Sequence, residues 1–262
     1  AEVNSARSPP VAVSMAPMPA RTLDFKDHRR ELDQNRYVYA VASRRARGVS
    51  IGVNLNTDKL CNFDCPYCQV DRRTPGGPSE IDVARLLAEL EALLERAASG
   101  GLWREPPFDG VSEELRRVVD VAFSGDGEPT TPPEFPAVAE AVRGILDRRA
   151  PGILLRLITN ATMFDRPRVR AGLRCFDELW CKLDAGSEES FRRVERPRAG
   201  IPRDKIVGGI ASVASGRPIV IQTLWLRRAG EAPPPAELAA YCARLREIRS
   251  AGGQIKLVQL HT

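Results

Sequence analysis

CNFDCPYC, residues 61–68, sets three cysteines within eight positions, Cys61, Cys65 and Cys68, with Tyr67 directly before the last. Three thiols are one too many for a single disulfide and one too few for a closed tetrahedral metal site. Just upstream runs VSIGVNLN (49–56), a short apolar stretch of strand character, so the thiols fall on the loop that leaves a first strand.

The rhythm of that strand and loop recurs downstream. Further apolar runs are RVVDVAFSG (117–125), GILLRLITN (152–160), DELWCKLDAG (177–186), RPIVIQTLWL (217–226) and GQIKLVQLHT (253–262). Between them lie amphipathic helical patterns. Ser79 with Asp82 reads as a capping box before IDVARLLAELEALLERAAS, with Gly100–Gly101 as its stop. Thr131 with Glu134, and Pro132 at the first helical position, reads as the next start. Asp165, Ser187 and the Pro233–Pro235 run read as later starts. Six strands alternating with helices imply an α/β fold of right-handed βαβ units on a parallel sheet. The spacing suits a doubly wound sheet or an incomplete, six-stranded relative of the (β/α)₈ barrel.

Most of these strands are apolar at nearly every position, so their polar exceptions carry information: Arg156 and Asn160, Lys182 and Asp184, Gln222, and Lys256 or Gln259. Within the third and fourth strands the paired exceptions are four and two residues apart and point to one side, toward the C-terminal ends where parallel α/β folds build their sites. Arg156, Lys182 and Lys256 suggest a partly anionic substrate, and serve equally to hold a cofactor.

A chain of 262 residues with 43% apolar content can bury a sizeable core. Charged residues make up 28%, and no apolar run approaches about 18 residues, which excludes a membrane-spanning helix. No secretory pattern opens the chain, and six cysteines with half of them in one loop do not form a secreted disulfide framework, so a cytoplasmic setting is expected. Cys175, Cys181 and Cys242 stand singly and read as small buried hydrophobes. A net charge of +5 and a pI near 9.0 raise a polyanionic partner such as RNA. With only five lysines, however, the charge is scattered arginine, more typical of solvated faces. Residues 1–20 read as an extended arm or disordered tail, and 24–48 as a surface strap in preference to a lid.

For the thiols, structural zinc would need His28, His261 or a distant cysteine as fourth ligand, and a redox pair at Cys65 and Cys68 would leave Cys61 over. A [4Fe–4S] cluster takes one outer ligand per iron, so three cysteines leave one iron open to a further ligand.

The C-x3-C-x2-C spacing after a first strand resembles the signature of the radical S-adenosylmethionine (radical SAM) superfamily. FSGDGEPT (123–130), at the end of the second strand, looks like that family's Gly-Gly-Glu-Pro segment, with Asp126 standing between Gly125 and Gly127. The resemblance implies a partial (β/α)6 TIM-type barrel over 50–262 with 1–49 as an N-terminal extension. It also implies a [4Fe–4S] cluster on Cys61, Cys65 and Cys68, and S-adenosyl-L-methionine chelated at the open iron. Reductive cleavage there gives a 5′-deoxyadenosyl radical that abstracts hydrogen. By the same resemblance Tyr67 contacts the adenine, Glu128 or the backbone of 125–128 faces the ammonium, and Asn160, Lys182 and Asp184 contact ribose and carboxylate. Gln222 matches the fifth-strand position loosely. Lys182 and Asp184 read equally as an interior ion pair, and Asn160 equally as a helix cap.

LDAGSEESFRRVERP (183–197) draws the likeness toward stand-alone iron–sulfur oxidoreductases related to wybutosine-type tRNA-modifying enzymes, although no cysteine precedes Cys61 here. The single cluster is similar to that of activating enzymes that place a radical on a protein partner. The substrate thus stays open between small molecule, RNA and peptide or protein. A second reading is a radical SAM fold turned binding or scaffold module that keeps the cluster for structure, and outside the class stands a zinc-binding nucleic-acid protein. The family's usual electron donors, flavodoxin and ferredoxin, are acidic, so Arg72 and Arg73 beside the cysteine loop are expected to aid docking. The sequence stops within the sixth strand, where a covering element is expected to follow.

Overall fold

The computed structural model describes residues 34–43, 47–198, 200–227 and 230–261. The arm read over 1–20, and most of the strap read over 24–48, lie outside these residues. Among the described residues one sheet forms from β1 (Val38–Ser43), β2 (Gly48–Val53), β3 (Val118–Phe123), β4 (Leu154–Thr159), β5 (Glu178–Lys182), β6 (Ile219–Leu224) and β7 (Ile255–His261). The helices are α1 (Val83–Ala98), α2 (Phe135–Arg149), α3 (Pro167–Leu173), α4 (Glu188–Val194), α5 (Arg203–Ala214) and α6 (Pro235–Ser250).

Strand order across the sheet follows chain order, and β2 to β7 are parallel. Right-handed crossovers that never reverse direction stack every helix on one face, whereas a doubly wound sheet needs a reversal. The partial barrel is the outcome. Its outer face is apolar: Ile51, Val121, Phe123, Leu155, Leu157, Leu179, Cys181, Ile219 and Ile221 are buried under helices. The inner face is half-exposed, which is why β4 and β5 alternate buried and intermediate positions and are not buried throughout. Sequence reading placed β2 to β7 and missed β1, which pairs antiparallel with β2 within the stretch read as a strap. Its start is held from α1, where the buried Glu89 carboxylate accepts the backbone N–H groups of Arg36, Tyr37 and Val38 at 2.8–3.2 Å.

Helix starts shift by a few residues from expectation. Asp82, and not Ser79, caps α1, accepting from Arg85 N. No side chain caps α2, which opens at Phe135 because the Thr131 hydroxyl is turned back to the Glu128 carbonyl. The α3 cap position is Arg166 and not Asp165. Ser187 caps α4 as expected.

A belt of alternating charges crosses the inner face. Ser50 donates to Asp120, Asp120 pairs with Arg156, Arg156 Nε meets Glu178 at 2.8 Å, and Lys256 meets Glu178 at 2.7 Å. The Trp180 indole N–H donates to Glu178 at 3.0 Å. Arg156 and Lys256 therefore sit in the N-terminal halves of their strands with their charge matched, Arg156 away from the C-terminal end where it was expected. Burial alone would raise the Glu178 carboxyl, but the hydrogen bonds from Lys256 and Trp180 and the Arg156 charge pull it down to about 2. The folded protein therefore keeps this carboxylate ionised at lower pH than the unfolded chain does. That stabilisation is whole above the ordinary glutamate range and is lost as pH falls toward about 2. Glu178→Gln is expected to lower stability at neutral pH by about 1–2 kcal/mol after allowing for solvent screening. The gap should close under acid, as read by urea melts at stepped pH.

Candidate functional site

The loop leaving β2 and the loop leaving β3 meet face to face. Asn54 gives its amide to the Asp126 carboxylate at 2.7 Å and accepts the Asp126 N–H at 3.0 Å. A Cβ on Gly125 would lie 2.1 Å from Asn54 Oδ1, and one on Gly127 would lie 2.1 Å from the Leu60 carbonyl oxygen. Both glycines are thus required where the two loops touch. Asp126, the odd residue between them, is the partner of the Asn54 amide. Arg72 joins the same two loops, donating to the carbonyls of Lys59 and Asp126.

The cysteine loop is stitched on its other side to the segment after α4. Asp64 N donates to Arg196 O at 3.0 Å, Arg198 N to Asn62 O at 2.9 Å, and Phe63 bridges Pro197. Phe63 packs edge-on against Phe191 with ring centroids 5.8 Å apart. Asn160 Nδ2 donates to Asn62 Oδ1, and Asn62 Nδ2 to the Thr162 hydroxyl, at 2.7 and 2.6 Å, tying the loop to the end of β4. Asn160 is therefore a loop tether, with its own carbonyl oxygen taken by Thr162.

Cys61 and Cys65 are half-buried and Cys68 is exposed. Cys61 Sγ accepts from Phe63 N at 3.5 Å, the Cys65 thiol faces the Glu195 carbonyl at 3.3 Å, and Arg72 Nη2 donates to Cys68 Sγ at 3.5 Å. Burial pushes the Cys61 thiol up and the Cys65 thiol up to about 12, while the Phe63 N–H and then Arg72 draw the first back, and the Tyr67 hydroxyl and then Lys182 the second. Metal ligation needs thiolates, so those two cations sit where ligation would use them. Among the described residues no three His, Cys, Asp or Glu side chains gather on one point as ligands of a single ion. A cubane makes no such demand, since each thiolate takes a different iron. The donor set fits it in number, in type and in the flanking positive charge.

Glu128 lies fully inside. Its Oε1 accepts from the Thr130 and Thr159 hydroxyls at 2.5 and 2.6 Å, and its Oε2 from Asn160 N at 2.7 Å. Burial raises its carboxyl. The side chain crosslinks the ends of β3 and β4.

Tyr67, Lys182 and Asp184 come together at the mouth. The Tyr67 hydroxyl donates to Asp184 Oδ2, Leu224 N donates to Asp184 Oδ1 at 2.7 Å, and Lys182 Nζ lies 4.9 Å from the Tyr67 ring centre. Lys182 and Asp184 are 3.8 Å apart. Burial, then the Asp184 charge, drives the Tyr67 phenol above its usual range. Gln222 stands beside Lys182 in register and contacts His261 at 3.4 Å, one strand farther from the cysteine loop. Sequence reasoning missed Asn54, Asn62, Thr162 and Glu195. The last is buried, accepts from Asp184 N at 3.4 Å, and leaves Oε2 without a partner. Asn54 alone carried a signal, as a polar residue closing a buried strand.

A cavity of about 630 Å³, lined by Glu178, Arg217, Gln254 and Lys256 among others, opens at the N-terminal ends of β5 to β7. Chemistry in parallel α/β folds sits at the opposite end, with the thiols.

A family model described as the Radical SAM superfamily matches residues 55–221. A UPF0026 protein of Helicobacter pylori is 28% identical over 174 residues, covering 66% of this chain and 49% of its own length. A UPF0026 protein of Methanocaldococcus jannaschii is 29% identical over 175 residues, covering 65% and 47%. The chain thus spans about half the length of the curated relatives it matches. Among solved structures, SuiB of Streptococcus suis bound to S-adenosylmethionine aligns with a TM-score of 0.53 at 12% identity, over 83% of this chain and 42% of that one. TYW1 with a lysine-pyruvate adduct aligns with a TM-score of 0.50 at 16% identity, over 83% and 65%. At such identities the likeness is one of fold. No helix among the described residues is long and apolar enough to cross a membrane.

Proposed function

Since the chain belongs to the radical SAM superfamily, we propose that Cys61, Cys65 and Cys68 hold a [4Fe–4S] cluster for the reductive cleavage of S-adenosyl-L-methionine. The observation that carries this reading is the stitching of the cysteine loop to the ends of β3 and β4 through Asn54–Asp126, Arg72–Asp126 and Asn62–Asn160. Three thiols, a glycine-bearing backbone and the Tyr67–Lys182–Asp184 group thereby share one end of the sheet. When bound, cluster and cofactor together supply a 5′-deoxyadenosyl radical for hydrogen abstraction.

The chain's own residues then have distinct tasks. The backbone of 125–128, held against the cysteine loop by the close approach that Gly125 and Gly127 allow, receives the amino-acid end of the cofactor. Tyr67 offers its ring to the adenine, fixed in place by its bond to Asp184 and by Lys182 above the ring. Lys182, half-exposed, is the cation available to a ribose hydroxyl or carboxylate, whereas the Asp184 oxygens are already engaged. An acidic donor of the flavodoxin or ferredoxin type supplies the electron, with the exposed Arg73 on its approach.

The test is anaerobic reconstitution with iron and sulfide, reduction, and measurement of 5′-deoxyadenosine. Stoichiometric zinc without sulfide, or a loaded cluster that leaves the cofactor intact, would sink the proposal. Tyr67→Phe removes one hydrogen bond from a buried carboxylate. It is expected to weaken cofactor binding about tenfold with iron content unchanged, as read by titrating cleavage rate against cofactor concentration.

A further inference from the structure

The guanidinium of Arg72 reaches three acceptors at once. One nitrogen donates to the carbonyls of Lys59, in the cysteine loop, and Asp126, in the β3 loop, the latter at 2.9 Å. The other nitrogen donates to Cys68 Sγ at 3.5 Å. Its charge also acts on Cys61, across the loop from Cys68. Neighbouring Arg73 is exposed, and its backbone N–H donates to Asp71 at 3.0 Å.

Resting on the reading that the thiols hold a cluster, we infer that Arg72 is a positioning residue that locks the two loops together and raises the cluster's reduction potential. It is thus a fixed part of the centre and not a docking charge for the electron donor. Three thiolates make a half-buried centre negative, and an added electron makes it more so. A fixed cation and an N–H···S bond at one thiolate offset that charge, which is how hydrogen bonds to sulfur tune these centres. Only the planar fork of arginine can span two carbonyls and a sulfur; the compact ammonium of lysine keeps the charge and loses the span.

The experiment compares wild type, Arg72→Gln, Arg72→Lys and Arg73→Gln, each anaerobically reconstituted. Iron and sulfide are counted per chain, and midpoint potentials are read by electron paramagnetic resonance during mediated titration. Arg72→Gln should be about tenfold harder to reduce, a shift of about 59 mV to the negative for one electron. Arg72→Lys should recover part of that shift, and Arg73→Gln should match wild type. Should Arg72→Gln and Arg72→Lys both load poorly, the locking role is upheld; full loading of Arg72→Lys overturns it, because lysine restores the charge without the span. Full loading of Arg72→Gln at the wild-type potential overturns the inference while leaving the reading of the site intact. A wild type that takes up no iron and sulfide overturns both.

Discussion

Alanine at Cys61, Cys65 or Cys68 is expected to give a folded protein without a complete cluster and without cofactor cleavage. Loss of residues that merely orient a metal ligand costs about 10–100-fold, so loss of a ligand itself should exceed about 100-fold. Folding should survive, because the loop is held by Phe63 against Phe191 and by backbone bonds to Arg196 and Arg198, none of which uses a thiol. Iron and sulfide analysis, visible absorption and 5′-deoxyadenosine counts check each variant. A variant that keeps the wild-type cleavage rate would contradict the ligand set.

Glu128→Ala should strike stability harder than any other single change at the site. It would strand two hydroxyls and two backbone N–H groups of Thr130, Thr159 and Asn160, which now end on one carboxylate. Buried groups left without partners cost about 1–3 kcal/mol each, and some will be rescued by water, so a total of about 3–5 kcal/mol is expected. Glu128→Gln should cost less, about 1–3 kcal/mol. Its amide oxygen can take the Asn160 N–H and its NH₂ can donate to hydroxyls free to rotate, so the Thr130 N–H alone is stranded. Urea midpoints separate the two variants, and equal losses would show that the charge itself is needed.

What the letters disclosed was whatever lies along one strand or one loop. The thiol spacing, the glycines at 125 and 127 and the apolar runs of β2 to β7 are local, and all could be read. Charge balance across strands could not. Arg156 reads as a free cation until register sets it between Asp120 and Glu178, 36 and 22 residues away. The notion of an anionic substrate drawn from Arg156 and Lys256 loses its footing for the same reason. Strand β1 escaped because its anchor, Glu89, belongs to a helix more than fifty residues later. Tyr67 and Asp184 were both singled out, but their direct bond depends on how the mouth closes and is written in neither segment.

The cysteine loop borrows a habit of sheets: beside the side chains of Asn62, Phe63 and Tyr67, its neighbours grip main-chain atoms, at Asp64 N and Asn62 O. Evolution is therefore free to reletter the outward-facing Asp64 and Pro66, yet a single inserted or deleted residue would slide every grip by one and misplace the sulfurs.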